Sequence, residues 1–376
     1  MAEAPTAGHH APGGPRILAV NPGSVSTKLA LFQGRTPLLE HVETHDDELA
    51  PFRARPILDQ LPLRLEAIRA TLDRHDVDPA SLDATVGRGG LLPPLAAGTY
   101  RVDAAMLDQL RRAERGEHAS NLGAFLATSL AEAAGCPAFI VDPVSVDDWD
   151  DVARFSGLAG LDRECLSHAL NIRAVARRYA AEVGRAYAAL RLVVAHLGSG
   201  ISVSAHRDGR MVDGTNSREE GPFSVERAGT VPTVRLIRHV LREGLSGEGA
   251  ERMLFREGGV HSYLGTRDLR EVDRRIQAGD DLARRVMEAM LYQIRKEIGA
   301  MAAVLEGRVD AVLLTGGMAR SERVTRLLTS ALGWIAPVRV YPGEEEMLAL
   351  VEGAVRVLEG EEGERRVGEG GDKDKD

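Results

Sequence analysis

Short apolar runs, each stopped by a cluster of glycine, proline and hydroxyl residues, recur along the chain. Residues 17–20 break into Asn21-Pro22-Gly23-Ser24-Val25-Ser26-Thr27-Lys28, after which residues 29–32 resume the run until Gln33-Gly34. Runs of this length bounded by turn residues predict a strand, a polar turn and a second strand. Residues 58–72 carry apolar side chains at helical spacing, and residues 84–87 predict a strand that delivers Arg88 to the loop at Gly89-Gly90. Residues 121–134 are small and apolar enough for a buried helix. Residues 139–141 predict a strand ending at Asp142-Pro143, where the proline blocks a helical start at the aspartate.

The second half repeats the opening theme. Residues 192–195 are apolar, His196-Leu197-Gly198-Ser199-Gly200 is a glycine turn, and residues 201–205 predict a strand that a hairpin at Arg207-Asp208-Gly209-Arg210 returns onto Met211-Val212. The echo of Val20-Asn21-Pro22-Gly23-Ser24 in Ala195-His196-Leu197-Gly198-Ser199 suggests two related lobes, each opening on an antiparallel hairpin whose turn faces a shared cleft. Helices follow over 231–243 and 280–305. A strand over 311–314 runs into Thr315-Gly316-Gly317-Met318-Ala319, with a helix from Arg323. A glycine pair between strand and helix lets a nucleotide approach the backbone closely. The last helix, 347–358, follows Tyr341-Pro342-Gly343 and the triplet Glu344-Glu345-Glu346.

At 376 residues the chain exceeds one ordinary core, so two domains are expected. Net charge of -9 and 4% aromatic residues argue against a nucleic-acid surface. Lys28, Lys296, Lys373 and Lys375 are the only lysines, a bias that reads as genome composition. Cys136 and Cys165 have neither CxxC spacing nor a disulfide framework, which fits packing residues in a reducing cytoplasm. Residues 1–15 carry no apolar segment of signal-peptide type and read as a disordered extension, and residues 360–376 read as a disordered acidic tail. No run approaches the roughly 20 apolar residues of a membrane helix.

Several residues could carry chemistry. Gly23 to Lys28 fails as a P-loop, since no second glycine precedes the lysine and a strand, not a helix, follows. What is left is either an ordinary polar hairpin turn or one in which Ser24, Ser26 and backbone amides donate to phosphoryl oxygens, with Lys28 adding charge and Asn21 an amide oxygen for a metal or its waters. Arg88 could grip a carboxylate or phosphate from its strand end, or be one surface arginine among many. His118 and Ser120 read as capping groups, and His168 and His196 are open to core or capping roles. Asp142 stands where a carboxylate addresses a metal. Arg227 also joins a guanidinium to a glycine-flanked turn, and two arginines converging on one phosphoryl group would neutralise its equatorial oxygens.

Taken in order, these stretches resemble the acetokinase family of the sugar kinase, Hsp70 and actin superfold. The resemblance runs from residue 16 to 358 through the opening hairpin, Val86-Gly87-Arg88-Gly89-Gly90, Gly116-Glu117-His118-Ala119-Ser120-Asn121, Val141-Asp142-Pro143, His168-Ala169-Leu170-Asn171, Ala195-His196-Leu197-Gly198, Glu226-Arg227-Ala228-Gly229 and Leu314-Thr315-Gly316-Gly317. It implies an α/β, two-lobed, actin-like and ribonuclease H-like (ASKHA) fold with duplicated mixed-sheet domains around a central cleft. The lobes would be 16–185, with helix 347–358 packing back on it, and 186–346, which would bind the nucleotide. The resemblance further implies reversible phosphorylation of butyrate by ATP, with another short or branched acid (acetate, propionate, isobutyrate) or a non-catalytic nucleotide-binding regulator as alternatives.

By the same resemblance, phosphate is contacted by Asn21, Ser24, Ser26 and Lys28, and the substrate carboxylate or moving phosphoryl group by Arg88 and Arg227. Asp142 acts in the active site, His168 stabilises the phosphoryl group, His196, Gly198, Ser199 and Gly200 bind the triphosphate, and Gly316 and Gly317 contact adenosine. Magnesium is held through Asn21 and Glu345 or Glu346, and a homodimer or higher homo-oligomer is expected. Val25 and Ser199 depart from the family pattern, Val25 replacing a usual hydroxyl residue and Ser199 standing where glycine or asparagine is expected.

Overall fold

The computed structural model describes residues 13–45, 48–52 and 55–368, and the contacts divide the chain into two units, residues 1–146 with 345–376 and residues 147–344. In the first unit, β1 (Arg16–Pro22), β2 (Ser26–Gln33), β3 (Thr36–Thr44), β4 (Ala84–Arg88), β5 (Thr99–Arg101) and β6 (Ala138–Val141) form one sheet in the order β3-β2-β1-β4-β6-β5. β1 pairs antiparallel with β2 and parallel with β4, which is parallel to β6. Side chains alternate across a sheet. Leu18 and Val20 therefore pack with Ile68 and Leu72 of α1 (Leu61–Arg74) and with Leu122, Leu126 and Leu130 of α3 (Leu122–Ala134), while α2 (Ala104–Arg112) follows β5. The C-terminal helix, Glu346–Leu358, packs on β1, β4 and β6. Cover on both sides explains why residues 17–20 form an unbroken apolar run.

The second unit repeats the scheme. α4 (Ala169–Glu182) precedes β7 (Leu192–Leu197), β8 (Ile201–Arg207) and β9 (Arg210–Gly214). The five helices α5 (Thr233–Glu243), α6 (Gly247–Phe255), α7 (Gly259–Leu264), α8 (Leu269–Gln277) and α9 (Asp281–Val304) follow, then β10 (Ala311–Gly316), α10 (Glu322–Leu332) and β11 (Val338–Pro342). The sheet order is β11-β10-β7-β8-β9, with β7 antiparallel to β8 and parallel to β10 as β1 is to β2 and β4. Val193 and Ala195 share a core with α9 and α10, whereas Leu192 and Val194 pack against Ile172, Ala176 and Tyr179 of α4.

Three details differ from the sequence expectations. α4 belongs to the second unit because its apolar stripe closes one face of β7 and β10, so the division falls at Val146 and not after residue 185. Residues 361–368 do not run off as a tail: Arg365 donates to the Thr99 carbonyl at 2.9 Å and accepts from the Arg101 amide at 2.8 Å, covering the open edge of β5. Residues 1–12 of the expected extension and 369–376 of the expected tail lie outside the described residues. β3 was not anticipated, since it is an edge strand whose residues alternate between exposed and half-buried and so carries little apolar signal.

Cys136 and Cys165 are both free, and burial is the main cause raising each thiol pKa, to about 11 for Cys136. Among the described residues no helix is long and apolar enough to cross a membrane. His206 is fully buried on β8, with Nδ1 2.6 Å from the Tyr187 hydroxyl and Nε2 2.8 Å from Ser204 Oγ. Burial first and the Arg173 charge second push its pKa down from 6.5 to about 3. The unfolded chain therefore takes up a proton below pH 6.5 that the folded chain refuses, so this contribution to stability is complete above pH 6.5 and is lost progressively below it. Denaturant titrations at pH 7 and pH 5 are expected to show the unfolding free energy falling with pH, with a shallower fall in His206→Gln.

Candidate functional site

In the first unit the β1–β2 turn is closed by the Gly23 amide donating to the Ser26 carbonyl at 2.7 Å. The turn proper is only three residues long, so Asn21 and Lys28 face each other as cross-strand partners in the ladder, and Ser26 begins β2. Ser24 and Lys28 are exposed. Arg88 ends β4, the parallel neighbour of β1, and its Nη1 donates to Glu346 Oε1 in an ion pair whose side chains are 10% and 14% exposed. The other oxygen of Glu346 accepts from Asn21 Nδ2 at 2.7 Å. A cavity of about 210 Å³ opens here, its lining including Ser26, Lys28, Arg88, His118, Ser120 and Glu346.

His118 and Ser120 both cap and line this cavity: His118 Nδ1 accepts from the Ser120 amide at 3.2 Å and lies 2.8 Å from Ser120 Oγ. Asp142 is buried at the end of β6 with φ of 37°, and its Oδ1 accepts from the Gly98 amide at 2.8 Å. It braces the chain entering β5 and is not part of the cavity lining. Of the three consecutive glutamates, Glu346 is the one that reaches Asn21 and Arg88, while Glu345 sits exposed at the N-cap of the C-terminal helix.

Arg64 went unnoticed in the sequence because it lies inside the apolar spacing of α1. It is fully buried, with Nη1 on the Ser26 carbonyl and Thr27 Oγ1, both at 2.9 Å, and Nη2 on the Gly23 carbonyl at 2.8 Å. The only clue in the sequence was a basic residue one helical turn from Gln60, its other partner.

In the second unit the β7–β8 turn is tightened by the Gly198 amide on the Gly200 carbonyl at 3.1 Å, and the Ser224 hydroxyl donates to the Ser199 carbonyl. Ser224 Oγ also accepts from the Arg227 amide at 3.1 Å, tying the arginine loop to this turn. Arg227 Nη1 donates to the carbonyl and hydroxyl of Ser217 at 2.9 and 3.1 Å. Burial lowers its pKa below the usual arginine value, with Glu226 acting in the opposite direction. The guanidinium packs against Gly200, where a Cβ would stand 2.5 Å from Nη1.

His196 lies on β7 and not in the turn, stacked on His168 with ring centroids 3.8 Å apart. His196 Nδ1 is 2.9 Å from Asn171 Oδ1 and Nε2 is 3.2 Å from Glu344 Oε1, while His168 Nδ1 is 2.9 Å from Ser202 Oγ. Gly316 has φ of 91° and fits beneath Leu197, whose carbonyl oxygen would be 2.5 Å from any Cβ there. Gly317, Gly198 and Ser199 line a cavity of about 740 Å³ together with Arg267, Met318 and Arg320. The structure thus gathers Asn21, Ser26, Lys28, Arg88 and Glu346 in one unit, and His168, His196, Gly198, Ser199, Gly200, Arg227, Gly316 and Gly317 around the β7 and β10 ends of the other.

Two mixed sheets, each opened by a hairpin and continued by a parallel strand, define the duplicated α/β fold of the ASKHA superfamily. The acetate kinase of Porphyromonas gingivalis shares it with a TM-score of 0.73 at 19% identity, covering 89% of this chain and 98% of that one. A propionate kinase from Francisella tularensis subsp. tularensis SCHU S4 does so at 0.72 and 17%, covering 90% and 98%. The model of the acetokinase family matches residues 163–337. A "Probable butyrate kinase" of Enterococcus faecalis is 47% identical over 92% of this chain and 96% of its own, and "Probable butyrate kinase 2" of Caldanaerobacter subterraneus subsp. tengcongensis is 45% identical over 92% and 98%. The chain belongs to the acetokinase family. It is a phosphotransferase that uses ATP and a carboxyl group as acceptor.

Because the Arg227 guanidinium occupies the space a side chain at position 200 would need, Gly200→Ala is expected to fold with an unchanged circular dichroism spectrum. It should lose turnover by about 100-fold, the scale on which a misplacement of about 1 Å acts.

Proposed function

We propose that this enzyme catalyses the reversible reaction of butanoate and ATP to butanoyl phosphate and ADP. The observation that carries the reading is the buried Arg88, already paired with a carboxylate beside a 210 Å³ cavity, in a chain nearly half identical to relatives described as butyrate kinases. A guanidinium that donates to an internal carboxylate has the geometry to donate to a substrate one.

A fatty acid carboxylate with a pKa of ~4 to 5 is ionised at neutral pH, so no general base is needed. Its oxygen attacks the γ-phosphorus in line, the new P–O bond forms as the bond to the β,γ-bridging oxygen breaks, and ADP leaves with that electron pair. The chain's contribution is positioning and charge. Arg88 and Arg227 balance the equatorial oxygens, His168 donates to the moving group, and Asn21, Ser24, Ser26 and Lys28 hold phosphate oxygens. His196, Gly198, Ser199 and Gly200 support the triphosphate, and Gly317 supports adenosine, with Gly316 setting the approach from beneath. Asp142 acts by holding the Gly98 segment in place.

Magnesium suits this donor set, since the cation usually keeps several waters and takes one or two protein oxygens with the substrate phosphates. The hydrogen-bonded pair Asn21 and Glu346, with Glu345 adjacent in sequence, supplies those oxygens. Among the described residues no group of three or more acidic, histidine or cysteine side chains offers a closed site instead. The ion would neutralise nucleotide phosphate charge.

Two further readings accompany this one. Two free cysteines, Cys136 half-buried and Cys165 buried, suit the reducing cytoplasm. A homodimer is supported by the family resemblance and by α5, which has no buried residue and exposes Val234, Ile237 and Leu241 along one face. Light scattering in solution should return twice the chain mass, and the chain mass alone refutes it.

Trapping acyl phosphate with hydroxylamine across acetate, propionate, butyrate, isobutyrate and isovalerate is expected to give the highest kcat/KM with butyrate. No product with any acid refutes the reading, and a better branched or shorter acid replaces butyrate as the substrate. Arg88→Ala and Arg227→Ala should each cost turnover by on the order of 100-fold, the typical penalty for removing an electrostatic donor. Near-normal turnover in both removes the assignment.

A further inference from the structure

We infer that Arg64 is a positioning residue for the phosphate turn, acting as a buried cation that has no carboxylate partner among the described residues and whose counter-ion is the bound phosphate. The inference rests on the reading that the β1–β2 turn binds phosphoryl oxygens. Arg64 has five N–H donors and all five are used: Nε and one Nη2 proton on Gln60 Oε1, the second Nη2 proton on the Gly23 carbonyl, and the two Nη1 protons on the Ser26 carbonyl and Thr27 Oγ1. Every acceptor is neutral. Among the described residues no carboxylate lies within ion-pair distance of it, although it is one of the largest fully buried side chains.

A buried charge without an opposite charge is costly and is seldom kept without a use. Burial lowers the guanidinium to about 10, which leaves it protonated at neutral pH. His45, on the other side of Thr27, has its pKa pushed down by burial and by the Arg64 charge, so it adds no second cation there. Drawing the carbonyls of Gly23 and Ser26 back onto Arg64 also points two negative dipole ends inward. The outward side of the turn, with Ser24, Ser26 and Lys28, is left to present donors and positive potential to an anion.

Gln60→Glu separates the electrostatic role from a merely structural one. It keeps an acceptor oxygen in place for Arg64 while adding the missing negative charge. In the full-length enzyme assayed with ATP, magnesium and butyrate, its melting temperature is expected to stay level or rise. Its KM for ATP should rise about 10-fold at low salt with a smaller change in kcat, and the gap should narrow as ionic strength increases. Arg64→Lys, which retains charge, should keep a lower KM than Arg64→Met, and both it and Gln60→Glu remain decisive if Arg64→Met does not fold. A KM for ATP within twofold of wild type in Gln60→Glu overturns the inference. Lys28→Met guards the premise: if it too leaves ATP binding and turnover unchanged, the phosphate-turn reading fails, whereas loss in Lys28→Met beside a silent Gln60→Glu removes only the role of Arg64.

Discussion

A guanidinium at the end of a fully buried strand has to be partnered, and the pairing of Arg88 with Glu346 organises the first unit around that requirement. All five residues of β4 are buried, so its polar terminus cannot relax into solvent. Glu346 comes from the first turn of the C-terminal helix, and Asn21, from the neighbouring strand, occupies its second oxygen. One carboxylate therefore links two adjacent parallel strands to a helix remote in sequence. Polar chemistry in both units gathers in the same kind of place, at or just beyond the carboxyl ends of the parallel strands: Asn21, Arg88 and Gly316 in the last residues of β1, β4 and β10, and Asp142 and Gly198 just after β6 and β7. Open α/β sheets collect ligands there because the strand ends release amides and side chains into a crevice.

The duplication is closer in backbone than in electrostatics. In both units the first strand of the sheet's hairpin has an antiparallel neighbour on one side and a parallel one on the other. The turns are supported differently. Gly23 and Ser26 are held from behind by a buried arginine on a helix, whereas the Gly198 to Gly200 turn is flanked by Arg227 on a loop that Ser224 ties down. Sheet geometry was retained while the source of positive charge moved.

Strands buried on both faces were legible in the sequence, since uninterrupted apolar runs at 17–20 and 192–195 leave little choice of structure. The echoed glycine turns gave the duplication. Elements that pack little, such as β3, left too weak a pattern, and α4 was assigned to the wrong side of the division because one apolar stripe does not say which sheet it will cover. Among the residues proposed for the site, the strand-end positions of Arg88 and Asn21 were legible. Arg64 was not, because a lone arginine within a helical apolar stripe looks like an exposed residue until the fold shows it at the centre. The three glutamates could not be sorted in sequence. Position relative to the helix start decides which of them turns toward Arg88.

On the role proposed for Arg88, its internal partner makes substrate capture a swap. An incoming anion does not enter a bare positive socket but displaces a resident carboxylate from the guanidinium, so its net gain is the difference between two similar ion pairs. Such an exchange favours modest affinity and ready departure in either direction.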